Sequence, residues 1–139
     1  MAAKHKRFIV LMLTDRANYG FDEHTLPPLI ALMDSASPDQ RQFWHSCVTG
    51  YFLTSRDALS RVQSVIDQAV RLRNADSRFS SLGIGLAEGS MLGDFTLLGR
   101  LKEVVPVGAV VNDASRSGQL PDAYQQPLHA LSNEFDRNR

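Results

Sequence analysis

The chain has 139 residues, with 15 Lys+Arg against 15 Asp+Glu, so its formal net charge is zero. That length holds one domain, and the neutral balance argues against a whole-protein electrostatic grip on DNA, RNA or an anionic membrane. One cysteine, Cys47, excludes a disulfide framework and a cysteine-based zinc site, and no apolar run is long enough to span a bilayer. The start, Met1 to Arg7, is basic, but Phe8–Leu13 is too short for a signal core, so the reading is cytoplasmic.

Phe8-Ile9-Val10-Leu11-Met12-Leu13 predicts a strand buried on both faces, stopping at Thr14-Asp15. Asn18-Tyr19-Gly20 is turn chemistry. A short helix follows from about Thr25, with Pro27 and Pro28 in its first turn, where a missing N–H costs little. Ser35–Pro38 ends it. Phe43–Thr54 reads as two strands with a tight connection. The clearest helix comes next, capped by Thr54 with Asp57 three residues on, and Leu59, Val62, Val65, Ile66, Ala69 and Val70 on its apolar face. Phe79–Glu88 is a strand whose glycines imply close backbone approach. Gly89 and Gly93 read as turns around a further short strand near Met91–Leu98. Gly108–Arg116 is a helix with Val107, Val110, Val111 and Ala114 inward, stopped by Gly118. Two units result: a domain over 1–118, and a polar C-terminal tail over 119–139 with a helical turn or two around Leu128, Leu131 and Phe135. The order of elements predicts an α+β, ferredoxin-like βαββαβ antiparallel sheet with helices on one face.

That fold hosts many functions, so the site residues must decide. Gly108-Ala109-Val110-Val111-Asn112-Asp113-Ala114-Ser115-Arg116 resembles the Gly-x-x-Val-Asn-x-Ala-x-Arg segment of class III adenylate and guanylate cyclase catalytic domains. Leu82–Gly89 is similar to that family's Gly-Ile-Gly strand. Phe52–Ala58 resembles its central strand end and helix start, and Leu11–Asp15 its first strand. The resemblance runs from about Phe8 to Gly118 and implies a cyclase-like extension of the core. It also implies roles. Asp15 would hold a metal, Asn112 would orient the ribose, and Arg116 would stabilise phosphoryl charge. Asn112 and Arg116, four apart, share one helix face. Mg²⁺ or Mn²⁺ would accompany any bound nucleotide, since cyclisation uses metal ions to activate the 3′-oxygen and neutralise the pyrophosphate. The family's site forms across a dimer, so a homodimer or partner protein is implied, and neither DNA nor membrane.

The sequence departs from that pattern at several positions. The second metal Asp should fall at about Ser46, within His45-Ser46-Cys47, and serine cannot replace the lost charge. The base-reading Lys should fall near Gln42, with its Asp partner near Val105. His45 is a poor substitute ligand for hard Mg²⁺. The reading is therefore a degenerate nucleotide-cyclase-like signalling domain that binds a nucleotide, dimerises or docks a protein, without cyclase turnover. The alternatives are an active class III cyclase with altered metal ligation, and an RNA-recognition-like module resting on Thr49–Phe52. Apart from the resemblance, Asp15 reads as a turn residue, Gly83, Gly85 and Gly89 as fold glycines, His24, His45 and His129 as scattered, and Cys47 as a small buried hydrophobe. Trp44 reads as filling the core or a dimer interface.

Overall fold

The computed structural model describes residues 4–95, 101–105 and 109–137. In chain order they form β1 (Lys4–Asp15), α1 (Leu26–Ser35), β2 (Gln40–Trp44), β3 (Cys47–Leu53), α2 (Arg56–Ala75), β4 (Leu82–Phe95), β5 (Leu101–Val105), α3 (Val110–Gly118) and α4 (Gln125–Arg137). The strands make one sheet in the order β2-β3-β1-β4-β5, and every described pairing is antiparallel. The architecture is thus a mixed α/β domain built on a five-stranded antiparallel sheet. Among the described residues no helix is long and apolar enough to cross a membrane.

The apolar run of β1 sits at the centre of the sheet, and its alternation supplies two cores. Ile9, Leu11 and Leu13 pack with Leu29 and Met33 of α1, the apolar stripe of α2, and Leu131 of α4. Phe8, Val10 and Met12 turn the other way, onto Leu101 and Val104 of β5 and Val110 and Ala114 of α3. A strand with both faces covered must be apolar throughout, which is what the uninterrupted run encodes. The expectation of helices on one face is corrected here: α1, α2 and α4 share one face, and α3 lies on the other.

Glycine makes the α3 packing possible. A Cβ at Gly85 would collide with the Ala114 carbonyl, and one at Gly83 with the Gly118 carbonyl. One at Gly89 would reach Val110 Cβ at 3.0 Å. Gly89 is therefore not a turn. β4 runs for 14 residues through both Gly89 and Gly93, which pair with Phe8 and Lys4 of β1, so Gly93 is not a turn either, and Val110 fills the space a Gly89 side chain would have taken. Two further expectations shift. Ser55, not Thr54, caps α2, accepting from Ala58 N at 3.0 Å. Thr54 is still held by the sheet, its N–H donating to Arg7 O at 3.1 Å, so the helix starts one residue later. The described part of α3 begins at Val110; Val107, Gly108 and Leu98 lie outside the described residues. The turns expected around Leu128, Leu131 and Phe135 run as the 13-residue α4.

Candidate functional site

At the end of β1, Asp15 is 5% exposed. Its N–H donates to Ser46 O at 3.2 Å, and the Thr14 hydroxyl donates to the same oxygen at 3.2 Å. The β2–β3 turn is thereby pressed against the end of β1, and Ser46, counted as the second carboxylate position, stands beside Asp15. The pairing of Thr14 with Cys47 in the sheet puts it there.

The carboxylate of Asp15 is engaged by its own turn. Oδ1 accepts from Ala17 N at 3.0 Å and from Ser81 Oγ at 2.7 Å, and Oδ2 accepts from Tyr19 N at 3.1 Å. Asn18, at φ 61°, closes the turn by donating to Asp15 O at 3.1 Å. An aspartate bonding backbone two and four residues on is ordinary turn chemistry, and three donors offset the burial of the charge. The turn is tied down further by Phe21 N, which donates to His45 O at 2.8 Å. Gly20, at φ 82°, leaves room for the His45 ring, which a Cβ would strike.

An open cleft of about 460 Å³ lies over this turn, lined by Asp15, Tyr19, Asp22, His24, Arg78 and Ser81 among others. Its other acid is also satisfied locally. The N–H groups of His24 and Thr25 bond Asp22 Oδ1 and hold its carboxyl below the usual range. Arg78 is gripped by Asp76 at 2.7 Å, which raises the guanidinium pKa.

These residues do not fit a two-metal centre. Ser46 contributes no charge, and three of the roughly four acceptor positions on Asp15 are occupied by donors. Among the described residues no three of His, Cys, Asp and Glu come together as a possible metal cluster.

The other candidates lie across the sheet. Val110, Ala114 and Gly118 form the inward stripe of α3, which leaves Asn112 and Arg116 exposed on its outer side. The Arg116 side chain is 75% exposed and pairs with Asp113 at 2.6 Å. Asp15 has the parity of Ile9, Leu11 and Leu13, facing α1 and α2. One chain therefore does not bring Asp15 together with Asn112 and Arg116. Gln42 accepts from the Tyr51 hydroxyl at 3.2 Å, and Val105 sits on β5 opposite Leu92. Burial pushes the Cys47 thiol up. Trp44 is 48% exposed at the sheet edge, so it does not fill the core. The RNA-recognition alternative is corrected: Thr49, Tyr51, Phe52 and Phe8 are fully buried, so none of those aromatics offers a base a face to stack on.

The sequence carried no signal for Ser81, which meets Asp15 across 66 residues. Asp22 and Thr25 could have been found. Thr25 Oγ1 accepts from Asp22 N while Asp22 accepts from Thr25 N, a reciprocal pair at a helix start.

No protein-family model matches the sequence, and no curated protein matches it. Solved structures do. A bacterial light-regulated adenylyl cyclase superposes with a TM-score of 0.56 at 18% identity, covering 88% of this chain and 43% of its own. The guanylyl cyclase domain of the RhoGC fusion protein from the fungus Blastocladiella emersonii gives 0.56 at 16%, covering 85% and 78%. The fold is that of a nucleotidyl cyclase catalytic domain. The adenylyl cyclase CyaB from P. aeruginosa gives 0.51 at 16%, covering 84% of this chain and 72% of its own. This cyclase-fold chain thus spans less than half the length of the light-regulated enzyme, and at these identities the likeness is one of fold. Within that fold, the cyclase-like segment from Asn112 to Arg116 is the helix seated on the glycines of β4.

Proposed function

We propose that this cyclase-fold domain is a signalling module that binds a nucleotide or a second chain through the outer side of α3 and does not turn over a nucleoside triphosphate. The observation that carries the reading is the Asp15 turn. Its carboxylate accepts from Ala17 N, Tyr19 N and Ser81 Oγ, while the neighbouring position holds Ser46. Cyclisation by two metal ions needs negative oxygen ligands to hold both cations at the attacking and leaving oxygens. This end of the sheet supplies one engaged carboxylate. Arg116, exposed beside Asn112, supplies positive charge where an anion can reach it. Mg²⁺ or Mn²⁺ enters the reading as the counter-ion of a bound nucleotide. Because Asp15 and α3 lie on opposite faces, a composite site requires a second chain, which supports pairing as part of the function. The strand order β2-β3-β1-β4, with α1 and α2 as crossovers, supports a ferredoxin-like core extended by β5, α3 and α4.

The deciding experiment is incubation with ATP or GTP and Mn²⁺, followed by detection of cyclic product. No product is expected. Product that disappears in both Asp15→Ala and Arg116→Ala would establish the active-cyclase alternative instead. Calorimetry with ATP and GTP, and light scattering over a concentration range, test the two binding modes. A strict monomer that binds neither nucleotide at millimolar concentration ends the proposal.

A further inference from the structure

The C-terminal helix is docked differently from the others. α2 buries Ala58, Leu59, Val62, Val65, Ile66 and Ala69, and α3 buries Val110, Ala114 and Gly118. α4 buries Leu131, with Leu128 and Phe135 half-buried beside it. Tyr124, one residue before the helix, is buried in the same core, and the other attachments of the segment are charged. Arg7 of β1 donates from both terminal nitrogens to the Glu134 carboxylate, each at 2.8 Å, and from Nε to Glu88 of β4. Arg56, at the start of α2, donates to the Phe135 carbonyl, lies 5.8 Å over the Phe135 ring and pairs with Asp136 at 3.7 Å. Arg73, near the end of α2, reaches Asp122 at 3.7 Å. Three arginines on β1 and α2 thus answer three acids of the segment 122–136. Between α2 and α4 a groove of about 530 Å³ stays open, with Gln63 on one wall and Leu128 and His129 on the other.

We propose that α4 is a detachable strap, and that the surface beneath it is a dock for an acidic amphipathic helix. In the resting chain the occupant is α4 itself. When α4 lifts, the occupant is a partner helix of the same chemistry, carrying acids that reach Arg7 and Arg56 and an apolar residue in the place of Leu131. Exposed ion pairs are screened by salt, and the bidentate Arg7–Glu134 pair, shared with Glu88, is the strongest of these. An element held by such pairs, by Leu131 and by two half-buried side chains, with Tyr124 as a buried anchor just before it, has few buried contacts, lies at the low end of local stability and opens without global unfolding. The surface it leaves is basic at its rim and apolar at its centre, the composition that receives a helix by its apolar face. The dock is independent of the Asp15 turn and of α3.

Amide hydrogen exchange on the full chain tests the strap. The amides of 125–137 should exchange about tenfold or more faster than those of α2 and β1. The gap should widen on raising salt to about 0.5 M. Glu134→Gln should accelerate exchange in α4 and leave α2 unchanged. A labelled peptide of residues 122–137, added to the full chain, should bind the Glu134→Gln chain more tightly than the wild type and weaken with salt. α4 exchanging in step with α2 at both salt levels, in wild type and variant, overturns the strap. Failure of the peptide to bind either chain at about millimolar concentration overturns the dock. A stable dimer that keeps α4 protected at high salt also overturns the proposal, because a second copy would then fill the surface.

Discussion

Asp15 and the Asn112–Arg116 pair are placed on opposite faces of the sheet and positioned by opposite means. Asp15 is buried, and its carboxylate is spent on a local turn and one distant hydroxyl. Asn112 and Arg116 are exposed, and the helix beneath them is fixed by backbone lying on backbone at Gly83, Gly85 and Gly118. The first arrangement consumes the chemistry of its residue. The second leaves the side chains at the surface, Arg116 paired with its helix neighbour Asp113, and puts the constraint into the scaffold. The position of α3 is therefore independent of the Asp15 turn, since the helix owes its seat to missing side chains rather than to charge.

The largest expected effect comes from breaking that seat. In Gly85→Ala the new Cβ meets the Ala114 carbonyl and lies 2.9 Å from Gly118 N, both backbone, so α3 must move as a body. Overpacking of this kind should cost about 3 kcal/mol. Gly89→Ala meets only the Val110 side chain and should cost clearly less. Denaturant unfolding of both variants checks the order; equal losses would mean that the glycines do not set the helix position.

On the other face, Asp15→Ala removes one charged acceptor from three donors and should cost about 2 kcal/mol. The loss should be the same with and without Mn²⁺ in thermal melts. A melt that Mn²⁺ raises in the wild type and not in the variant would return Asp15 to metal binding. Ser81→Ala, which removes the 2.7 Å bond alone, should give a smaller loss in the same direction.

Arg116→Ala sharpens the contrast from the exposed side. Its side chain touches Asp113 and solvent, so stability should change by no more than about 0.5 kcal/mol. Binding of a nucleotide or a second chain should nonetheless fall. A variant that melts like the wild type and still binds equally would leave the pair without a role.

Parts of this contrast could be read in the sequence, and others could not. The run Phe8–Leu13 announced a doubly covered strand because apolar side chains at consecutive positions need a core on each side. The glycines of β4 announced close approach, but not what approaches. Gly89 therefore reads as a turn in the sequence, whereas in the fold Val110 lies over it. α4 was legible only as turns, since one buried leucine among polar residues gives a weak periodic signal. For the site, the nearness of Ser46 to Asp15 follows from the strand order expected from the sequence. The closure of Asp15 does not, because Ser81 lies on another element and the turn bonds depend on Asn18 adopting a left-handed backbone.

The smallest expected effect is an acid limb confined to the Asp15 side. The backbone N–H groups of His24 and Thr25 hold the Asp22 carboxyl below its ordinary 3.8. A carboxylate depressed in the folded chain binds its proton more readily once unfolded. Its contribution is therefore complete above the ordinary carboxylate value and is lost as pH falls through the lowered folded one. The wild type should lose stability over that acid range, and Asp22→Asn should lose less, with the two curves meeting at the acid end. Asp22 is exposed, so the separation should be small, greatest near neutral pH and closing as pH falls through the acid range. Parallel curves down to the acid end would mean that the turn at the start of α1 is held by its backbone alone, and that the two faces of the sheet respond to acid alike.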